Sequence, residues 1–433
     1  MNRLLMKCLA LLAISMTGSL AIALEGLVSD AATGRPIAGA SLVACENLRR
    51  SDAAGRYDFG AACSDGVLSV KALGYARQIV GLPTSSNTSL SSKGKSIDFQ
   101  LKTIRPKALY LSVYGIGSDL LREDALRVLD EAGMNALVID IKGDRGLVPY
   151  RSAVMARSLA AAGLPPQKPI TVADMPAMVQ RLHERGLYLI ARIVVFKDDP
   201  LVAMNPQWAV RNPQGGIWHD REDLAWIDPF RREAWEHSLA IAEEAAQLGF
   251  DEVQFDYLRF PDATGLSFSQ TNDQAGRVAA INGFLAAAQA RLQRYNVFIS
   301  ADIFGYVAWN ANDTQIGQQL EALAGQLDYL SLMLYPSGFS FGIPEHRDPV
   351  AAPFDIVEHS LRRALQRTGL PGWRFRPWLQ AFRDYAFDHR EFGPNEIRQQ
   401  IEAAESLGTD GWMLWNPKNR YSAEGLKRPT AQP

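Results

Sequence analysis

The stretch DEVQFDYLRFP, Asp251 to Pro261, alternates apolar and polar side chains as a strand does, yet it sets an acid, Asp256, among Phe255, Tyr257 and Leu258. An unpaired carboxylate in an apolar setting costs several kcal/mol or takes up a proton, so Asp256 calls for a polar, partly wet place. A second acid, Asp302, holds the matching position in VFISADIFG, the next strand-like run. Adjacent strands run ~4.8 Å apart, which sets two such carboxyl groups at or slightly beyond the ~5–5.5 Å separation of retaining glycosidases. Two close acids also push their protonation apart, so that one stays ionised while the other holds a proton. The chemistry this suits is glycosidic bond cleavage, with Asp256 as nucleophile or charge stabiliser and Asp302 as acid and base.

The elements that must position these groups begin at Pro106. Candidate strands are Ala108–Ile116, Ala136–Gly143, Tyr188–Phe196, Glu252–Phe260, Val297–Gly305, Tyr329–Pro336, Phe375–Phe382 and Gly411–Pro417. Helical patterns such as LREDALRVLDEAG and EIRQQIEAAESLG lie between them, several ending in a glycine suited to a C-terminal cap. Eight such units in roughly 310 residues predict an α/β fold, a (β/α)₈ TIM barrel over residues 106–428. A doubly wound open sheet has less support, because VYGIGSD after the first strand lacks the full dinucleotide fingerprint.

Barrel strands carry their functional side chains at the carboxyl ends. If each late polar residue faces inward, one mouth receives Tyr114, Asp140, Lys142, Arg192, Gln254, Asp256, Ser300, Asp302, Tyr335, Gln380 and Trp415. Of these, Tyr114, Asp140, Lys142, Arg192, Gln254, Tyr335, Gln380 and Trp415, together with Arg259, are the expected substrate-binding residues. Arg192 could hold Asp256 ionised; Tyr335, Gln380 and Trp415 could supply hydrogen bonds and a stacking platform for a sugar ring. Trp218, Trp226 and Trp309 fall in strand-to-helix loops, where subsites would be built. Plainer readings stand beside these. Asp256 could simply pair with Arg192 or Arg259, Asp140 with Lys142, and Asp302 could cap a turn.

The chain has 433 residues, 45 basic against 47 acidic, for a formal charge of −2. This balance offers no polyanion-binding surface, so no nucleic-acid partner is expected. The opening MNRLLMKCLALLAISMTGSLAIALEG has a basic start, an apolar stretch and small residues before Leu24, the layout of a signal peptide over residues 1–23. No later segment reaches the ~20 apolar residues of a membrane span, so a soluble exported protein, periplasmic or secreted, is expected. Cys45 and Cys63 would then be the remaining cysteines, and a disulfide between them would close about 18 residues and contribute roughly 3 kcal/mol. Residues 24–102 show short alternating runs between turn residues, which predict a small antiparallel β-sandwich. The histidines at 183, 219, 237, 346, 359 and 389 show neither H-x-H nor H-E-x-x-H spacing, so no metal and no cofactor is expected. No G-x-S-x-G elbow appears.

Two resemblances add to this reading. Gly26 to Ala40, Asp52 to Tyr57 and Gly74-Tyr75 resemble the carboxypeptidase regulatory-like domain, which implies a spacer or adhesive module without chemistry of its own. The segments LVIDIKGDRG, IARIVVFKD, EVQFDYLRFPD, SADIFGY and LMLYPS resemble a glycoside hydrolase barrel family of bacterial exported proteins, more distantly similar to alpha-amylase and alpha-galactosidase barrels. That resemblance implies a nucleophile at Asp256, the acid closing the fourth strand. The alpha-amylase type has a glutamate as general acid where this chain has the shorter Asp302. The expectation is an exported glycoside hydrolase acting on a polysaccharide or oligosaccharide, with a lean toward retention. The alternative is a catalytically silent carbohydrate-binding barrel of the cell envelope, and a transglycosylase or lyase stays open. Sugar, anomer, endo or exo action and oligomeric state are not legible.

Overall fold

The computed structural model describes residues 22–62, 66–82 and 95–427. Eight parallel strands close a barrel: Lys107–Leu111, Ala136–Lys142, Tyr188–Val194, Glu252–Asp256, Phe298–Phe304, Tyr329–Met333, Trp378–Gln380 and Trp412–Trp415. Each pairs with the next, and the eighth returns to the first. The closing seam depends on Gly411, whose φ is +74° and whose missing Cβ would lie 1.9 Å from the Pro106 carbonyl oxygen. Amphipathic helices cover the outside, among them Asp119–Ala132, Arg232–Leu248, Gln274–Leu292, Pro353–Thr368 and Pro394–Ser406. Their starts are capped where side-chain oxygens satisfy free N–H groups, as Ser118 does for Leu121 and Asp273 for Gly276. Among the described residues no helix follows the eighth strand.

The expected first strand is too long. It ends at Leu111, because Ser112 caps a short helix, Val113–Gly117, by accepting from the Gly115 N–H. Tyr114 therefore sits on that helix, about half exposed, and the residue that the strand turns inward is Tyr110.

The N-terminal region forms two four-stranded sheets around a shared core of Leu24, Val28, Leu42, Tyr57, Phe59, Leu68, Val70, Phe99 and Leu101. It is not wholly antiparallel. Its first strand, Ile22–Asp30, pairs antiparallel with Arg56–Ala62 but parallel with Lys95–Ser96 and Phe99–Leu101. The expected signal segment falls almost entirely on residues 1–21, outside the described residues, as does Cys63, the expected partner of Cys45. Among the described residues no helix is long and apolar enough to cross a membrane.

The sandwich docks on the amino-terminal end of the barrel. Lys71 Nζ contacts Asp328 Oδ2 at 2.8 Å, the Gly74 N–H donates to Tyr329 Oη at 2.9 Å, and Asn296 Nδ2 donates to the Ser41 and Ser69 carbonyls. Leu73 and Ile104 pack against the side chains that fill the barrel.

Beneath that dock lies a buried ionic plug. Arg376 donates to Glu252 and to Asp410 and packs 4.2 Å over the Tyr329 ring; Glu252 also accepts from Tyr188 and Ser300. Removing one partner of such a group leaves a buried charge uncompensated, which typically costs ~3–5 kcal/mol. Arg376→Ala should therefore lower unfolding stability by about that amount in denaturant titration. A loss below about 1 kcal/mol, the range of a surface pair, would contradict a buried role.

Candidate active site

At the opposite end, Arg192 lies in register with Asp140 on one neighbouring strand and Gln254 on the other. Its Nη1 donates to Asp140 Oδ1 at 2.6 Å, its Nη2 donates to Asp256 Oδ2, and its Nε lies 3.5 Å from Asp302 Oδ2. The guanidinium also sits 4.8 Å over the Trp415 ring and 5.6 Å over Tyr110, and those two rings stack at 3.9 Å. The acids have further donors. Tyr110 Oη donates to Asp140 Oδ2 at 2.6 Å, Trp378 Nε1 donates to Asp302 Oδ1 at 2.6 Å, and the Tyr257 N–H donates to Asp256 Oδ1. Tyr257 adopts a left-handed φ of 47°, uncommon for a bulky residue, at the turn that ends the fourth strand.

One cation thus faces three carboxylates in a place where none is well hydrated. Burial, first, and the negative charge of Asp256, second, hold the Asp302 carboxyl well above the ordinary range, against the opposing pull of Arg192 and Trp378. Burial pushes Asp140 up to about 6, with Arg192 and Tyr110 opposing. Burial and then the charges of Asp302 and Asp256 raise Tyr335, which keeps it a neutral donor.

These groups line an open groove. A cavity of about 490 Å³ is bordered by Arg192, Asp256, Arg259, Asp302, Tyr335, Trp378 and Trp415. A cavity of about 230 Å³ with Tyr114, Asp140 and Asp144 adjoins it through Arg192, Tyr257 and Trp415. On the other side one of about 800 Å³, with Trp218, Asp220, Trp226 and Asp262, adjoins it through Glu222, Tyr257, Arg259 and Tyr385. The three cavities adjoin along shared residues, and their aromatic side chains form a lining suited to sugar rings.

Of the residues expected at the mouth, Asp140, Arg192, Asp256, Arg259, Asp302, Tyr335 and Trp415 meet on this groove, and Tyr114 reaches its rim from the helix. Lys142 does not. A register shift between Asp140 and Lys142 breaks the alternation, and Lys142 is fully buried against Asp198 at 2.6 Å and the Val194 carbonyl. Gln254 lies deeper in the barrel, bonded to Ser331, with its Oε1 lacking a hydrogen bond. Ser300 also lies within the barrel, donating to Glu252. Gln380 is likewise buried and holds Ser337 and the Phe382 carbonyl in place. Trp309 donates to Ser360 outside the groove. Sequence reasoning missed Tyr110, Asp144, Tyr257, Trp378 and Tyr385. The signal for Trp378 was present: it stands two residues before Gln380, on the same strand face.

Residues 108–421 match the model of the family described as "putative glycosyl hydrolase domain". No curated protein matches the chain. Among solved structures, the PgaB (BpsB) glycoside hydrolase domain from Bordetella bronchiseptica aligns with 75% of this chain and 99% of its own at 14% identity and a TM-score of 0.53, a likeness of fold. A hypothetical protein from Ruminiclostridium thermocellum is 36% identical over 45% of this chain and 96% of its own, with a TM-score of 0.39. A chitinase from Chromobacterium violaceum is 11% identical over 74% of this chain and 96% of its own, with a TM-score of 0.43. Because the family match spans the barrel from its first strand to beyond its eighth, the chain belongs to this glycosyl hydrolase domain family.

Proposed function

We propose that the protein is an exported glycoside hydrolase that cleaves O-glycosidic bonds of a polysaccharide or oligosaccharide with two carboxyl groups and retention of configuration. The observation that carries the reading is the pair Asp256 and Asp302, both in contact with one guanidinium at the floor of a long aromatic groove. Two acids on one guanidinium are close neighbours, as a mechanism that needs two carboxyl groups on one bond requires.

In this mechanism Asp302 gives its proton to the leaving oxygen while Asp256 attacks the anomeric carbon. Asp302 then takes a proton from the water that releases the sugar. The two Asp256 oxygens have separate donors, Arg192 and the Tyr257 N–H. When one oxygen forms the glycosyl ester, the other keeps its donor and stays oriented. Trp415, held by Tyr110 and Arg192, presents a rigid ring beside the reacting bond. Export rests on the N-terminal sequence.

A second reading has an observation of its own. Asp302 is 1% exposed and Asp256 6%, and both are engaged by Arg192, an arrangement that a catalytically silent carbohydrate-binding barrel would tolerate. Turnover separates the two readings, since a silent module retains oligosaccharide without releasing products.

Two outcomes follow from the enzymatic reading. Asp302 works as an acid only while protonated, so kcat/KM should fall as pH rises through its elevated value. Asp302→Asn should lose ~10²–10⁴-fold on substrates with poor leaving groups and lack that basic limb. An unchanged alkaline limb in the variant would assign the proton to another group. With an activated aryl glycoside, Asp302→Ala should accumulate a glycosyl-enzyme visible by intact mass, with the added sugar mapping to Asp256. Turnover with no adduct, or an adduct on another residue, would remove the nucleophile assignment.

A further inference from the structure

Away from the paired acids, the fold gathers His346, Asp355 and His359 so that one ligand atom from each lies within 4.8 Å of the other two. Asp355 and His359 stand one turn apart on the helix Pro353–Thr368 and share a face, while His346 comes from the loop after the sixth barrel strand. His346 Nδ1 lies 3.8 Å from Asp355 Oδ2, and the two imidazoles meet edge to face with centroids 5.3 Å apart. We propose that this triad binds a divalent transition metal of the zinc class.

The donor set argues for that class. Two imidazole nitrogens and one carboxylate oxygen suit zinc, whereas calcium and magnesium take oxygen ligands almost throughout. Tetrahedral zinc with bonds of ~2.0 Å sets its ligand atoms ~3.3 Å apart, so the triad closes on a metal with a contraction of at most about 1.5 Å. The side chains of His346, Asp355 and His359 are 20%, 40% and 38% exposed, which leaves an entry path and a fourth position for water. Glu358, held by Arg362, adds negative charge 3.7 Å from His359 Nε2. Three ligands plus water is an open site, but nothing in the paired-acid mechanism uses it.

Its effect would be on the groove wall. The loop that bears His346 also carries Phe339, which lines the central cavity, and Tyr306 grips the same loop through the Phe341 N–H and the Gly342 carbonyl. A metal bridging His346 to the helix would staple this wall from its far side. The proposal stands apart from the glycosidase reading, because the triad touches none of the residues assigned to bond cleavage.

The test is calorimetric titration of untagged, chelator-stripped protein with zinc chloride, with calcium and magnesium chlorides as controls. One equivalent of zinc should bind and raise the thermal midpoint, with no response to the controls. His346→Ala and His359→Ala should each weaken zinc binding by more than about a hundredfold, beyond the roughly 10–100-fold of an outer-shell loss. In chelator their midpoints should match the wild type's. Absence of saturable zinc binding in the wild type, preference for calcium, or full binding in both histidine variants would overturn the assignment. Should either variant fail to fold, wild-type stoichiometry and Asp355→Asn decide the question in its place.

Discussion

A single guanidinium set among three buried carboxylates organises the carboxyl-terminal end of the barrel. Two opposite charges 4 Å apart attract by ~4 kcal/mol at an effective dielectric near 20, so Arg192 can hold Asp140, Asp256 and Asp302 together. It cannot neutralise them all. The charge imbalance leaves a proton in the cluster, and Asp302, the deepest of the three and next to the charge of Asp256, is where it is held most strongly. A purely structural ion cluster would be sealed, as the one around Arg376 is. This one opens onto a groove with aromatic sides.

The same barrel contains a second guanidinium that shows the contrast. Arg376, at the amino-terminal end, is closed in by Glu252, Asp410, Tyr188 and Tyr329, with the sandwich docked over it through Lys71 and Gly74. Between the two ends lies a neutral layer in which Gln254 meets Ser331 and Met413. The two guanidinium clusters thus lie at opposite ends of the barrel axis: the covered end anchors the fold, and the uncovered end holds its buried acids at the edge of a groove.

The eight strands were legible because each is a short apolar run set between helical periods, and the acids late in the fourth and fifth strands stood out as polar residues in apolar company. What alternation could not show was where it stops. Ser112 ends the first strand by capping a helix, which exchanged Tyr114 for Tyr110, and the register shift after Asp140 took Lys142 out of the mouth. Gln254 and Gln380 point inward as expected but sit too deep to line the groove. The His346, Asp355 and His359 cluster was invisible to spacing rules, because one ligand arrives from a loop nine residues before the others' helical turn begins. Asp144, Tyr257 and Tyr385 belong to loops, whose course no periodicity encodes.

The most direct measurement of the central claim is a ¹³C NMR titration of protein labelled at the aspartate carboxyl carbon, with Asp302→Asn identifying the Asp302 signal. Asp302 should remain protonated far above the ordinary carboxyl range, and Asp256→Asn should lower its titration point by removing the neighbouring charge. An Asp302 carboxyl that titrates near 4 and ignores Asp256 would contradict the account.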